Sequence, residues 1–238
     1  MGAKAVHTLR DIGLLLGLSL RLQLGKRFLL VPLAALAWPA YQALTLTLGW
    51  RDQSFDAADA QNALIGLPLV VIAIGLGVRI IAGEIEHRTL EVTYTVPGGA
   101  ARVWVAKLAA AASVLLAAEA LLAVSTALLF TSYPLGALYG ALQGAVFYLV
   151  LAAGLGALFR SEITAALVAC VLLLANGFLA ASSVRWSPLF NPLAVQDVNP
   201  ADVLAWTVQN RIGVALAIVA LTALACARAE RREALLKI

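Results

Sequence analysis

Gly83-Glu84-Ile85-Glu86-His87-Arg88-Thr89-Leu90-Glu91-Val92-Thr93-Tyr94-Thr95-Val96-Pro97-Gly98-Gly99-Ala100-Ala101-Arg102-Val103-Trp104-Val105-Ala106-Lys107 lies between two long apolar runs. It carries the acids Glu84, Glu86 and Glu91 and the basic or titratable residues His87, Arg88, Arg102 and Lys107. Charges at that density are too costly to leave in hydrocarbon, so the stretch reads as an aqueous connection between two membrane spans. Glu84 and Arg88, like His87 and Glu91, are spaced four apart and would share one face of a short helix. The β-branched residues Val92, Thr93, Thr95 and Val96 weaken that helix. Pro97-Gly98-Gly99 then turns the chain, and a second helix is expected from near Ala100. A helix, a sharp turn and a return make a shape that can dock into a partner's groove. A solvated loop that only caps two helices accounts for the same composition.

Outward from this connection, composition sets the class. The chain has 238 residues, 62% hydrophobic and 13% charged. Soluble domains carry about 45–50% apolar and about 25% charged residues, so this is read as an integral membrane protein. The net charge of +4 is spread along membrane edges, which argues against a nucleic-acid partner. Cys170 and Cys226 both fall in apolar runs and support neither a disulfide framework nor a metal site.

A span needs about 20 apolar residues. Six are expected: Phe28 to Leu48, Ala63 to Ala82, Val103 to Phe130, Leu135 to Phe159, Ile163 to Ala180 and Thr207 to Ala227. Before them, residues 1–27 place Leu9, Ile12, Leu16, Leu20 and Leu24 at helical spacing, with Lys4, Arg10, Arg21 and Lys26 interspersed. That pattern predicts an amphipathic helix on the membrane surface rather than a cleaved signal peptide; a soluble amphipathic tail is the competing reading. The domain is taken as 28–227, with a cytoplasmic loop over 83–107 and an external segment over 181–206. Residues 228–238 form a basic tail with Arg228, Arg231, Arg232 and Lys237. The fold class is therefore all-α: six transmembrane helices, an interfacial N-terminal helix and short external helices before the last span. Asn199-Pro200-Ala201-Asp202 is a helix start by its cap, its proline and its acid.

Six spans put both termini on one side. Lys4, Arg10, Arg21, Lys26, Arg27, Arg88, Arg102, Lys107, Arg160 and the tail collect there, against Arg51, Arg185 and Arg211 opposite. The rule that positive charge stays inside makes the termini and the 83–107 loop cytoplasmic. Gly140-Ala141-Leu142-Gln143-Gly144 fits GxxxG and serves either internal packing or a seam between two copies.

Glu119 is the acid deepest in a span. It could line a substrate path, relay protons, or bond a neighbour such as Gln143 or Asn176. An intramembrane serine protease would need a histidine at membrane depth, yet His7 and His87 both lie in cytoplasmic segments. The chain has neither H-E-x-x-H nor G-x-x-x-x-G-K-[ST]. It is not read as an enzyme, and it has no ATP site of its own.

Glu86-His87-Arg88-Thr89-Leu90-Glu91, followed by Pro97, Arg102 and Lys107, resembles the coupling region of type-2 ABC transporter permeases, which have the type V exporter fold. Phe190-Asn191-Pro192-Leu193 looks like the N-P-L element such permeases often carry before the last span. Arg88 stands where many of them have glycine. The resemblance extends over nearly the whole chain. It implies a permease of the bacterial inner membrane, paired with a second copy and with two ATPase subunits that bind ATP and Mg. Glu84, Glu86, His87, Arg88, Thr89, Leu90 and Glu91 would form the coupling helix seated in the ATPase. Glu119, Gln143 and Asn176 would lie near the substrate path, with lipid around the spans; whether the outer acidic loop binds an external partner protein is left open by the sequence. Two other classes compete: a proton-coupled secondary transporter using Glu119, and a membrane scaffold or assembly factor.

Overall fold

The structure, a computed structural model, describes residues 30–51, 54–87, 100–182 and 184–230. The expected N-terminal interfacial helix, Arg88 to Glu91 with the turn after them, and the tail from Arg231 lie outside the described residues. Six helices are long and apolar enough to cross a membrane. They are α1 (Leu30–Thr47), α2 (Ala57–Glu86), α3 (Ala100–Leu129), α4 (Leu135–Phe159), α5 (Glu162–Ala181) and α6 (Pro200–Glu230). Among the described residues the architecture is all-helical, that of a multi-pass membrane protein.

The bundle is built around α2 and α4, which make the most extensive helix contact. Their closeness comes from missing side chains. A Cβ on Gly77 would sit 2.4 Å from the Leu149 carbonyl oxygen and 2.8 Å from Ala152 Cβ. One on Gly156 would meet Ala82 Cβ and the Val78 oxygen at 3.3 Å. Small residues at such a seam let backbones approach, which is where helix association in lipid gains its packing energy. α5 and α6 lie against α4, α3 against α2, and α1 against α3. The outer helices expose apolar stripes, such as Ile163, Leu167, Val171, Leu174 and Phe178 on α5.

Two helices begin earlier than hydropathy predicts. Asp56 caps α2: its side chain accepts from Asp59 N at 2.7 Å, and Asp59 accepts from Asp56 N. This capping box satisfies otherwise orphaned donors. Asp59 also pairs with Arg51 at 2.9 Å, so the acidic stretch starts the helix instead of lying in a loop. Asn199 caps α6 through Ala201 N at 3.0 Å. The helix predicted at Asn199-Pro200 is thus the last span itself. The segment before it contains one 3₁₀ turn, Pro192–Ala194, and a series of turns, in place of the expected external helices.

The first part of α2 is a π-helical turn, Ala60–Gly66. Pro68 follows it and has no N–H to give, which in this register leaves the Ala63 carbonyl without a backbone donor. Trp38 Nε1 of α1 donates to that oxygen at 2.9 Å. Gly66 is required by the same turn, because a Cβ there would be 2.4 Å from the Gln61 oxygen.

Candidate functional site

The end of α2 that enters the 88–99 connection is wired into the bundle. Glu84 pairs with Lys107 of α3, and both are largely buried. The Lys107 ammonium also lies 5.4 Å from the centre of the Trp104 ring. Glu86 Oε1 accepts from Glu162 N at 2.8 Å, so an acid of α2 caps the first turn of α5. That turn is the positive end of the α5 dipole, and a carboxylate there is stabilising. Arg79 lies 3.7 Å from Glu162, and Gly83 leaves room for the same carboxylate. His87 closes α2 with its N–H on the Gly83 oxygen at 3.0 Å. Of the predicted coupling residues, Glu84, Glu86 and His87 therefore belong to the last turn and cap of a span. Glu84 has Lys107 of α3 beside it, a neighbour that spacing along its own helix does not suggest. Arg88, Thr89, Leu90 and Glu91 lie outside the described residues.

Among the described residues, no hydrogen bond joins the three residues predicted along a path. Glu119 lies on the packed stripe of α3, with Leu115 and Leu122 a turn to either side, and is 8% exposed. Its Oε1 is buried without a hydrogen-bond partner among the described residues. At the turn after α3, Tyr133 donates to the Ala123 oxygen at 2.6 Å. Burial and then the Glu119 charge hold its hydroxyl above the usual phenol range. Gln143 is turned toward α6: its Nε2 donates to the Arg211 oxygen at 2.7 Å, and Arg211 Nη1 donates to its Oε1 at 3.3 Å. Asn176 donates to the Tyr148 hydroxyl at 2.9 Å and to the Leu172 oxygen at 3.1 Å.

A second polar assembly joins the start of α2, α4, α6 and the 184–194 segment; the sequence pointed to Gln143 and Phe190-Asn191-Pro192-Leu193 within it, but not to Gln61 or Asn210. Gln61 donates to the Phe190 oxygen at 3.2 Å, and Asn191 Nδ2 donates to the Ala58 oxygen at 2.9 Å. The Phe190-Asn191-Pro192-Leu193 element is thereby pinned to the first turns of α2. Asn210 of α6 donates to the Arg185 and Ser187 oxygens at 2.7 and 2.8 Å. Both GxxxG glycines face inward. A Cβ on Gly140 would meet Arg211 Nη2 at 2.5 Å and Gln61 Nε2 at 2.7 Å, and one on Gly144 would meet the Pro188 oxygen at 3.2 Å. Internal packing, rather than a seam between copies, is what they serve. The one available signal was polarity out of place, with Gln61 and Arg211 at the edges of apolar runs.

Two cavities flank Gln61. The larger, ≈ 370 Å³, is lined by Gly66, Val70, Gly144, Leu173 and Gly177 besides Gln61. The smaller, ≈ 170 Å³, includes Tyr139, Pro192, Thr207 and Arg211 in its wall. Among the described residues no group of acids, histidines and cysteines is arranged to hold a metal ion. Compared with protein-family models, curated proteins and solved structures, the chain finds no match.

Proposed function

We propose that this chain is the membrane permease of an ATP-driven ABC exporter. In this reading it sits in a bacterial inner membrane with both termini cytoplasmic, as one of two permeases on two ATPase subunits. The observation that supports it most is the wiring at the end of α2. Through Glu84 and Lys107, and through Glu86 and Glu162 N, a load applied to the 88–99 connection reaches α3 and α5 together with α2. A loop that only caps two helices would not need that linkage. The sequence adds the Glu86-to-Glu91 pattern and the absence of a nucleotide-binding motif in the chain itself.

The contact with the ATPase is assigned to the charges beyond the wired turn. Arg88→Ala with Glu91→Ala is therefore expected to abolish co-purification of an ATPase that follows the wild-type chain, while the elution volume of the permease stays unchanged. An ATPase retained by the double variant would remove the coupling role from this stretch.

Proton-coupled transport is the second reading, and the buried Glu119 carboxyl without a hydrogen-bond partner among the described residues favours it. The permease account expects Glu119→Gln to keep both ATPase association and ATP-driven transport in proteoliposomes. Loss of transport with the ATPase still bound, together with uptake driven by a pH gradient in wild type, would decide for the carrier.

A further inference from the structure

Gln61 lines both an apolar groove and a smaller, also largely apolar cavity whose wall includes Arg211, at the end of the bundle that carries the 184–199 segment. The groove runs between α2, α4 and α5, and its rim residues Asn62, Leu67 and Ala181 are exposed, so it opens sideways toward lipid. Its ≈ 370 Å³ falls within the ~300–1,000 Å³ typical of small-molecule sites. Arg211 is a cation inside a membrane bundle. It touches Gln143 and stacks 5.6 Å from the Tyr139 ring centre, and no carboxylate pairs with it among the described residues. Such a charge is retained at a cost unless something neutralises it. Gln61 is 3% exposed, with its Nε2 used on Phe190 and its Oε1 buried without a donor. Gly140, by lacking a side chain, lets Arg211 and Gln61 close in on its backbone, where a Cβ would clash with both.

We propose that this cleft holds one phospholipid with an anionic, hydroxyl-bearing headgroup, its phosphate on Arg211, a headgroup hydroxyl on Gln61 Oε1 and one acyl chain in the groove. Charge complementarity selects the anion, and the orphaned acceptor selects a hydroxyl donor. Depth agrees. At ~1.5 Å per residue Arg211 lies roughly 8 Å along α6 from Trp206, and tryptophan marks the headgroup level. The groove then continues from Ala181 to Leu173, along the leaflet's acyl region. The inference rests on the membrane-spanning bundle and not on the ATPase, so either can fail alone.

The test is native mass spectrometry of the purified full chain with phosphatidylglycerol and phosphatidylcholine of identical chains. Wild type is expected to prefer phosphatidylglycerol by about tenfold, the effect of one charge-assisted contact. Arg211→Gln should bring the ratio to about one. Gly177→Phe should weaken both lipids by about tenfold, because a side chain at Gly177 meets open space and grows into the groove. Leu173→Trp fills the same groove from another position if Gly177→Phe does not fold. Equal binding of the two lipids by wild type overturns the proposal, as does phosphatidylglycerol binding unchanged in Arg211→Gln. Displacement of the lipid by free glycerol phosphate at equal concentration would assign the site to a soluble anion. A groove-filling variant that turns a dimer into a monomer without changing lipid binding would give the groove to a second copy.

Discussion

Lys107→Met is expected to destabilise the bundle by about 3–5 kcal/mol, the cost of removing one partner of a buried ion pair. Lys107 is 5% exposed, and Glu84 across from it is largely buried. Methionine keeps the stem against Trp104 but leaves the Glu84 carboxylate without the ammonium. Glu84→Gln combined with Lys107→Met should recover most of the loss, since replacing both members of a buried pair is often close to neutral. Thermal unfolding in detergent reads both. A single variant as stable as wild type would mean that Glu84 is held well enough by other contacts. The functional consequence is separate. If the bundle is the permease proposed above, the double variant should fold yet transmit less from the 88–99 connection to α3, lowering transport per ATP hydrolysed.

Gly77→Ala is expected to cost about 3 kcal/mol, the upper end for overpacking, because the added methyl meets backbone rather than a movable side chain. Its Cβ would stand 2.4 Å from the Leu149 oxygen, so α2 and α4 must separate along their whole seam. Gly75→Ala is the control. Nothing lies within 4 Å of a Cβ there, and alanine raises helix propensity, so this variant should be neutral or stabilised by up to about 1 kcal/mol. The two substitutions are two residues apart and chemically identical. Equal effects in a thermal or urea titration would contradict the α2–α4 packing described above.

Hydropathy made the six spans legible, because lipid demands long apolar helices whatever their neighbours are. It misplaced the starts of α2 and α6. Asp59 and Gln61 look excluded from a span until their partners Arg51 and Phe190 are seen. Phe190 is far from Gln61 in the sequence, and neither pairing follows a helical spacing rule. The same holds for the coupling end: Glu84 and Glu86 were recognised as charged residues at a membrane edge. That they clasp Lys107 and the first turn of α5 depends on how three helices meet. Glycines divide in the same way. Gly75 and Gly77 are equivalent in the sequence, and only Gly77 lies at a helix seam. The π turn was hidden for a different reason, since it depends on Pro68 removing a donor that Trp38, far earlier in the chain, replaces.

The central claim is that this bundle is driven by a separate ATPase. Affinity purification of the full chain from its native membrane, followed by identification of the co-eluting subunits and assay of Mg-dependent ATP hydrolysis, tests it most directly. The account predicts a P-loop ATPase at equal stoichiometry with the permease and hydrolysis that follows the complex through gel filtration. A chain that elutes in several detergents with no ATPase and no hydrolysis would contradict it.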